Sequence, residues 1–294
     1  MNLSFKDLLS WLMAVVLLSA CTDFFEKEVY VEMPPHEPKL VLNGLVDESD
    51  SAFRLLITRT SPPNGQTNTA LYEAGAQPAV KQNGMELVGA LNEQYHWVYP
   101  CDIKPGDTFE VLVNDDDLPS ASSSVSLPNP ANLLKAELDG IRYDIDGYEY
   151  SAIKFEMVDE KGVDNFYEVF LMYEETAGYE DSVYVYRSEI GWIQSPIPWL
   201  EESSRGLVFT DAAFKDGEVS LEIWYDYYHP DFKYYVGVRS VSESYYEYMR
   251  KYEIHQWNQY PDLFSGEPVP MYNNISGGYG LLAAFTSTVK KIEE

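Results

Sequence analysis

Cysteine is nearly absent: Cys21 and Cys101 are the only two in 294 residues, so no disulfide framework holds the chain. Basic residues are scarce too. Twenty Lys and Arg stand against 48 Asp and Glu, for a formal net charge of −28. A surface of that sign repels nucleic acid and anionic lipid, which argues against both as partners. The four histidines, His36, His96, His229 and His255, have no metal-ligand spacing to one another or to a cysteine, which argues against a zinc site. A serine nucleophile elbow, a Walker loop and a dinucleotide fingerprint are all missing, so no catalytic residue and no cofactor is assigned. Beyond residue 20 no apolar run reaches the roughly 20 residues a bilayer span needs. Stability must therefore come from burial, and 45% apolar residues can supply a core.

What is present begins with a secretory signal. Lys6 and Asp7 precede 13 residues, Leu8 to Ala20, that are mostly apolar and end in small side chains. The run closes as Leu18-Ser19-Ala20-Cys21, which resembles the bacterial lipobox. There the thiol accepts a diacylglycerol and cleavage follows between Ala20 and Cys21. Cys21 is thus expected to be the acylated first residue of the mature chain, anchoring it to a membrane by lipid, at about 0.8 kcal/mol per buried methylene. Cys101 then remains alone, as a small buried side chain. Glu26, Glu28, Glu32, Pro34, Pro35, Glu37 and Pro38 make residues 21–38 an extended tether.

Short alternating segments follow, at Lys39–Val46, Phe53–Thr58, Pro78–Gln82, Gln94–Tyr99, Thr108–Val113 and Ser122–Leu127. Turn signals such as Asn83-Gly84 and Pro105-Gly106-Asp107 separate them. Residues 39–128 read as a small immunoglobulin-like β-sandwich. Pro128-Asn129-Pro130 marks a composition shift, because 20 of the 24 tyrosines lie beyond it. Residues 129–294 read as a larger β-sandwich or barrel-like domain. Its strands are Leu134–Tyr143, Ser151–Val158, Phe166–Tyr173, Ser182–Arg187, Gly206–Thr210, Val219–Asp226, Phe232–Ser240 and Tyr279–Val289. One helix precedes the last strand, with Ser244 and Glu247 as a capping box and Tyr245, Tyr248, Met249 and Tyr252 on one face. Pro261 ends it.

Aromatic rings on loops of a rigid β scaffold offer contact area at low entropy cost. Trp192 and Trp199 in a long loop, and Trp224, Tyr227 and Tyr228 at a strand end, are therefore candidate contacts for a glycan or peptide ligand. The competing reading is that such rings fill cores, since aromatics favour strands. Asp115-Asp116-Asp117 and Asp144-Ile145-Asp146-Gly147 have carboxylates for calcium but no EF-hand spacing, and read as polar turns.

Three groups of residues carry a family resemblance: Pro38 to Gly44; Phe209-Thr210-Asp211-Ala212-Ala213-Phe214-Lys215-Asp216-Gly217; and Glu267-Pro268-Val269 with Asn273-Asn274-Ile275 and Gly278-Tyr279-Gly280. With the helix start at Val241–Tyr248, they resemble the Bacteroidota outer-membrane lipoproteins of domain-of-unknown-function family 4249, over essentially the whole mature chain. Leu281-Leu282 departs from the Ile-Phe pattern, apolar for apolar. The resemblance implies an envelope lipoprotein, often found beside TonB-dependent outer-membrane transporters, and no established activity. The expected function is non-catalytic binding in such an uptake system, on the cell surface or the periplasmic face. The alternatives are a structural surface protein or adhesin, and a glycan- or peptide-hydrolysing enzyme. Replacing Cys21 with Ser should abolish labelling by a fatty-acid probe and release the protein from the membrane fraction; a variant that stays lipid-labelled would refute the anchor.

Overall fold

The computed structural model describes residues 35–62, 72, 75–179, 182–190, 192–214, 217–226, 228–229, 232–258 and 269–293, leaving aside the side chains of 177–179, 182–184 and 257. The signal, Ala20, Cys21, the tether up to Pro34, Tyr227, Pro261 and Pro268 lie outside these residues. The described chain is mainly β, in several layers, with one α-helix among the described residues, as the sequence predicts.

The first half provides β1 (Leu40–Asp47), β2 (Ala52–Arg59), β3 (Gln77–Gln82), β4 (Met85–Glu86), β5 (Ala90–Leu91), β6 (His96–Pro100), β7 (Thr108–Asn114) and β8 (Ala121–Ser126). The second provides β9 (Asn132–Tyr143), β10 (Glu149–Val158), β11 (Phe166–Tyr179), β12 (Ser182–Ile190), β13 (Glu201–Ser203), β14 (Gly206–Thr210), β15 (Glu218–Tyr225), β16 (Lys233–Val241), helix α1 (Glu243–Asn258) and β17 (Tyr279–Lys291). In β7 the alternation is clean: Phe109, Val111 and Val113 turn inward while Glu110, Leu112 and Asn114 face out. Such a strand has one wet face. β16 instead is buried at nearly every position, because layers cover both of its faces.

Ten strands form one sheet in the order β13-β14-β11-β16-β17-β1-β2-β6-β5, with β12 also on β11. Two smaller sheets, β15-β10-β9 and β4-β3-β7-β8, cover one of its faces. The first packs Ile153, Phe155, Met157, Leu221 and Ile223 against Val169, Leu171, Val236 and Val238. The second packs Phe109, Val111 and Val113 against Leu42, Phe53 and Leu55. Each such side chain, fully buried, contributes about 1.5–3 kcal/mol. The large sheet runs across residue 128, and Ile275, Leu282 and Ala284 belong to the same core as Leu42 and Phe53. The opposite face carries α1, through Tyr245, Tyr246 and Met249 on Val208, Val241, Ala283 and Phe285.

The join is made by the last strand. β17 lies parallel to β1, from Val41 opposite Tyr279 to Asp47 opposite Phe285, and antiparallel to β16 on its other side. Asn274 prepares it by mimicking a neighbouring strand: its amide oxygen accepts from Leu282 N at 2.9 Å and its amide nitrogen donates to Leu282 O at 2.7 Å. The helix start differs from the sequence expectation. Ser242 is the cap, its hydroxyl accepting from Tyr245 N at 3.3 Å, whereas Ser244 is buried and donates to Leu282 O at 2.8 Å. A serine two residues earlier wins because the strand β16 ends there, leaving the helix's free N–H groups aimed at Ser242.

Gly280 shows what the join demands. Its φ is +120°, and a β-carbon there would stand 2.0 Å from Leu42 O. Gly280→Ala should cost about 1–3 kcal/mol from the backbone alone, with the steric clash added, and lower the urea midpoint; an unchanged midpoint would mean that β17 can seat elsewhere.

Candidate ligand-binding groove

The described aromatic residues singled out in the sequence differ in their surroundings. Trp199 packs on the core with its ring 5.9 Å from Phe209 and 5.7 Å from Phe214. Tyr228 stacks on buried Tyr234 at 4.3 Å. Trp224, on β15, stacks on Tyr150 at 5.8 Å, and its indole N–H donates to Glu222 at 2.7 Å. Its backbone pairs with Gln194, which places the chain after Trp192 beside it. Trp192 itself is 91% exposed. Of these four, only Trp192 offers a free ring. The aspartate-rich segments are turns: Asp144 Oδ1 accepts from Asp146 N and Tyr148 N, and Asp115 Oδ1 from Asp117 N and Leu118 N. Among the described residues no three His, Cys, Asp or Glu gather to hold a metal ion. Cys101 is half-buried and free, and burial pushes its thiol pKa up.

The concavity best suited to a ligand lies elsewhere, on the α1 face of the large sheet. Its volume is about 630 Å3, within the usual range for small-molecule sites. The floor is a row across four strands: Leu281 lies opposite Asn43, Asn43 opposite Leu56, and Leu56 opposite His96. Leu45 and Arg54 form the next row. One wall is α1, with Tyr245, Tyr248, Met249 and Tyr252. Tyr248 and Tyr252, one turn apart, stack at 5.9 Å and 22°. The end wall is the turn between β13 and β14, with Ser204 and Arg205. A second concavity, of about 570 Å3, lies beside Pro128 and Asn165, but serines, asparagine and acidic side chains dominate its lining.

A buried ion pair fixes these walls. Glu168, on β11, is fully buried, and accepts from Arg239 Nη1 at 2.6 Å, Tyr245 Oη at 2.8 Å and Ser203 Oγ at 3.3 Å. Arg239 also donates to Glu189 at 2.5 Å, and its guanidinium lies 3.9 Å from the Phe170 ring centre. Burial first, and the Glu168 charge second, push the Tyr245 phenol pKa well above the ordinary value, so it stays a donor. The outer side of α1 is tied down as well, by Arg250 to Glu201 at 2.7 Å, and His255 Nδ1 donates to Val269 O at 3.0 Å. His255 thus faces the segment at Val269.

The tyrosine stripe on α1 is legible in sequence, yet it reads as ordinary helix packing. Sequence reasoning misses that Tyr245 and Met249 seal the core while Tyr248 and Tyr252 are left at the rim. Removing one partner of the ion pair should be costly: Glu168→Ala is expected to lose about 3–5 kcal/mol in chemical denaturation. The pair change Glu168→Leu with Arg239→Met should recover most of that loss, and equal losses for both would refute a desolvation origin.

No curated protein matches the chain with significance. A family model matches residues 26–291, nearly its full length, and the chain accordingly belongs to the family described as domain of unknown function DUF4249.

Proposed function

We propose that this protein is a lipid-anchored outer-membrane component that binds a ligand without transforming it, as an accessory of a TonB-dependent uptake system. The observation that carries the reading is the groove beside α1. It has the volume of a small-molecule site, a floor where leucines alternate with Asn43, Arg54 and His96, and rim tyrosines that give ring faces and hydroxyls together. Its carboxylates are already engaged: Asp50 with Arg54 at 2.8 Å, and Asp47 with Ser49 N at 2.9 Å. Carboxylates engaged in this way, beside leucine and tyrosine surface, fit binding. The anchor at Cys21 and the acidic and proline-rich tether support a position on the outer membrane, and the family resemblance supports the transporter.

A pull-down of the tagged lipoprotein from gently solubilised outer membranes should bring down a TonB-dependent transporter in stoichiometric amount. Uptake by cells carrying Tyr252→Ala should fall several-fold at unchanged lipoprotein abundance. Full uptake with that variant would remove the groove from the mechanism. The absence of any transporter would turn the reading toward a free-standing surface role. Turnover of a glycan or peptide, abolished by one carboxylate change, would make the protein a hydrolase.

A further inference from the structure

We infer that the groove takes the carboxylate end of a short apolar peptide, with Arg205 as the anion contact; this rests on the groove being the ligand site. The first support is the lining. Leu45, Leu56, Leu281 and Met249 make an aliphatic bed, and Tyr248 and Tyr252 add ring surface at its rim. Asn43, Arg54, His96 and Ser204 add polar groups beside this bed. A peptide with leucine-like and aromatic side chains matches this bed, and Asn43 and the tyrosine hydroxyls can serve its backbone.

The second support is charge. Carboxylates outnumber basic residues by 48 to 20, so an arginine rarely lacks a partner. Arg54, Arg142, Arg187, Arg239 and Arg250 each pair with one. Arg205 pairs with none among the described residues, although it lines the groove. Its place is not accidental. Arg205 N donates to Ser203 Oγ at 3.3 Å, and that hydroxyl donates in turn to buried Glu168. Gly206 follows with φ +155°, where a β-carbon would stand 2.0 Å from Val169 O. The turn is thus locked from both sides and holds a cation at the end of an apolar trough. A guanidinium there offers a planar fork that fits a carboxylate with two parallel hydrogen bonds.

Isothermal calorimetry on the full mature lipoprotein in detergent tests this with a leucine–tyrosine–leucine tripeptide, as the free acid and as the C-terminal amide. The acid should bind, the amide about tenfold or more weaker, and Arg205→Ala should erase the difference between them. Arg205→Lys should restore part of it, since a point charge replaces the fork. Circular dichroism confirms folding of each variant, as the side chain lies on an exposed turn. Acid and amide binding equally, with Tyr252→Ala weakening both, would overturn the carboxylate contact and leave the groove standing. Failure of both tripeptides alongside binding of an oligosaccharide that Tyr252→Ala abolishes would overturn the peptide and keep the groove. Failure of every probe would overturn both readings.

Discussion

The carboxylate of Glu168 is the constraint on which the working face of this protein depends. An ionised carboxylate fully inside a fold loses its hydration, a cost of several kcal/mol that only close partners offset. Three are supplied from three separate elements: Arg239 from β16, Tyr245 from α1 and Ser203 from β13. The pair adds little net stability compared with apolar residues of the same shape. What it does is specify arrangement. The helix can satisfy Glu168 only with Tyr245 facing the sheet, and the β13–β14 turn only with Ser203 above it. One buried charge therefore orients the wall and the end of the groove together.

The floor depends on topology. Leu281, Asn43, Leu56 and His96 come from both ends of the described chain, and they line up because β17 enters the sheet beside β1. The groove cannot exist until the last strand is seated. Pairing of strands so distant in sequence carries the loop-closure cost that makes such topologies slow to fold. Gly278 and Gly280 serve that step directly, since β-carbons at these positions would stand 2.5 Å from Leu40 O and 2.0 Å from Leu42 O. The glycine-rich stretch Gly277 to Gly280 is thus a requirement of strand insertion.

Much of this was legible in sequence. The long strands alternate strongly, and β2, β3, β7, β14 and β17 lie within two residues of where periodicity places them. The two-residue strands β4 and β5 and the three-residue β13 are too short for any period to show. The candidate rings divide for a reason that sequence does not hold: Trp199 and Tyr228 have aromatic neighbours contributed by other strands, at Phe209 and Tyr234. The ion pair leaves a trace in the sequence. Glu168 sits between Phe166 and Phe170 on one strand face, and Arg239 between Gly237 and Val241. A charge two residues from large apolar side chains on both sides, as Glu168 is, is a charge on a buried face, whereas Arg239, with a glycine on one side, carries only half of that pattern.

Why a groove should form where it does follows from lengths. The path from β13 to β5 crosses eight strand spacings, roughly 38 Å at about 4.8 Å each. Helix α1 has 16 residues, and at 1.5 Å per residue it spans only about 24 Å. Its contacts are with β17, β11, β14 and β13, so it covers the half of the sheet on that side. The other face is already occupied by the two smaller sheets. Among the described residues, what remains is the stretch of β1, β2 and β6 just past the tyrosine flank of α1. Leaving apolar floor such as Leu45 open to water there is unfavourable unless something occupies it. A ligand drawn to that strip is met by rings on one side and by Arg205 at the end, so the same shortfall of helix that exposes the floor also defines what can cover it.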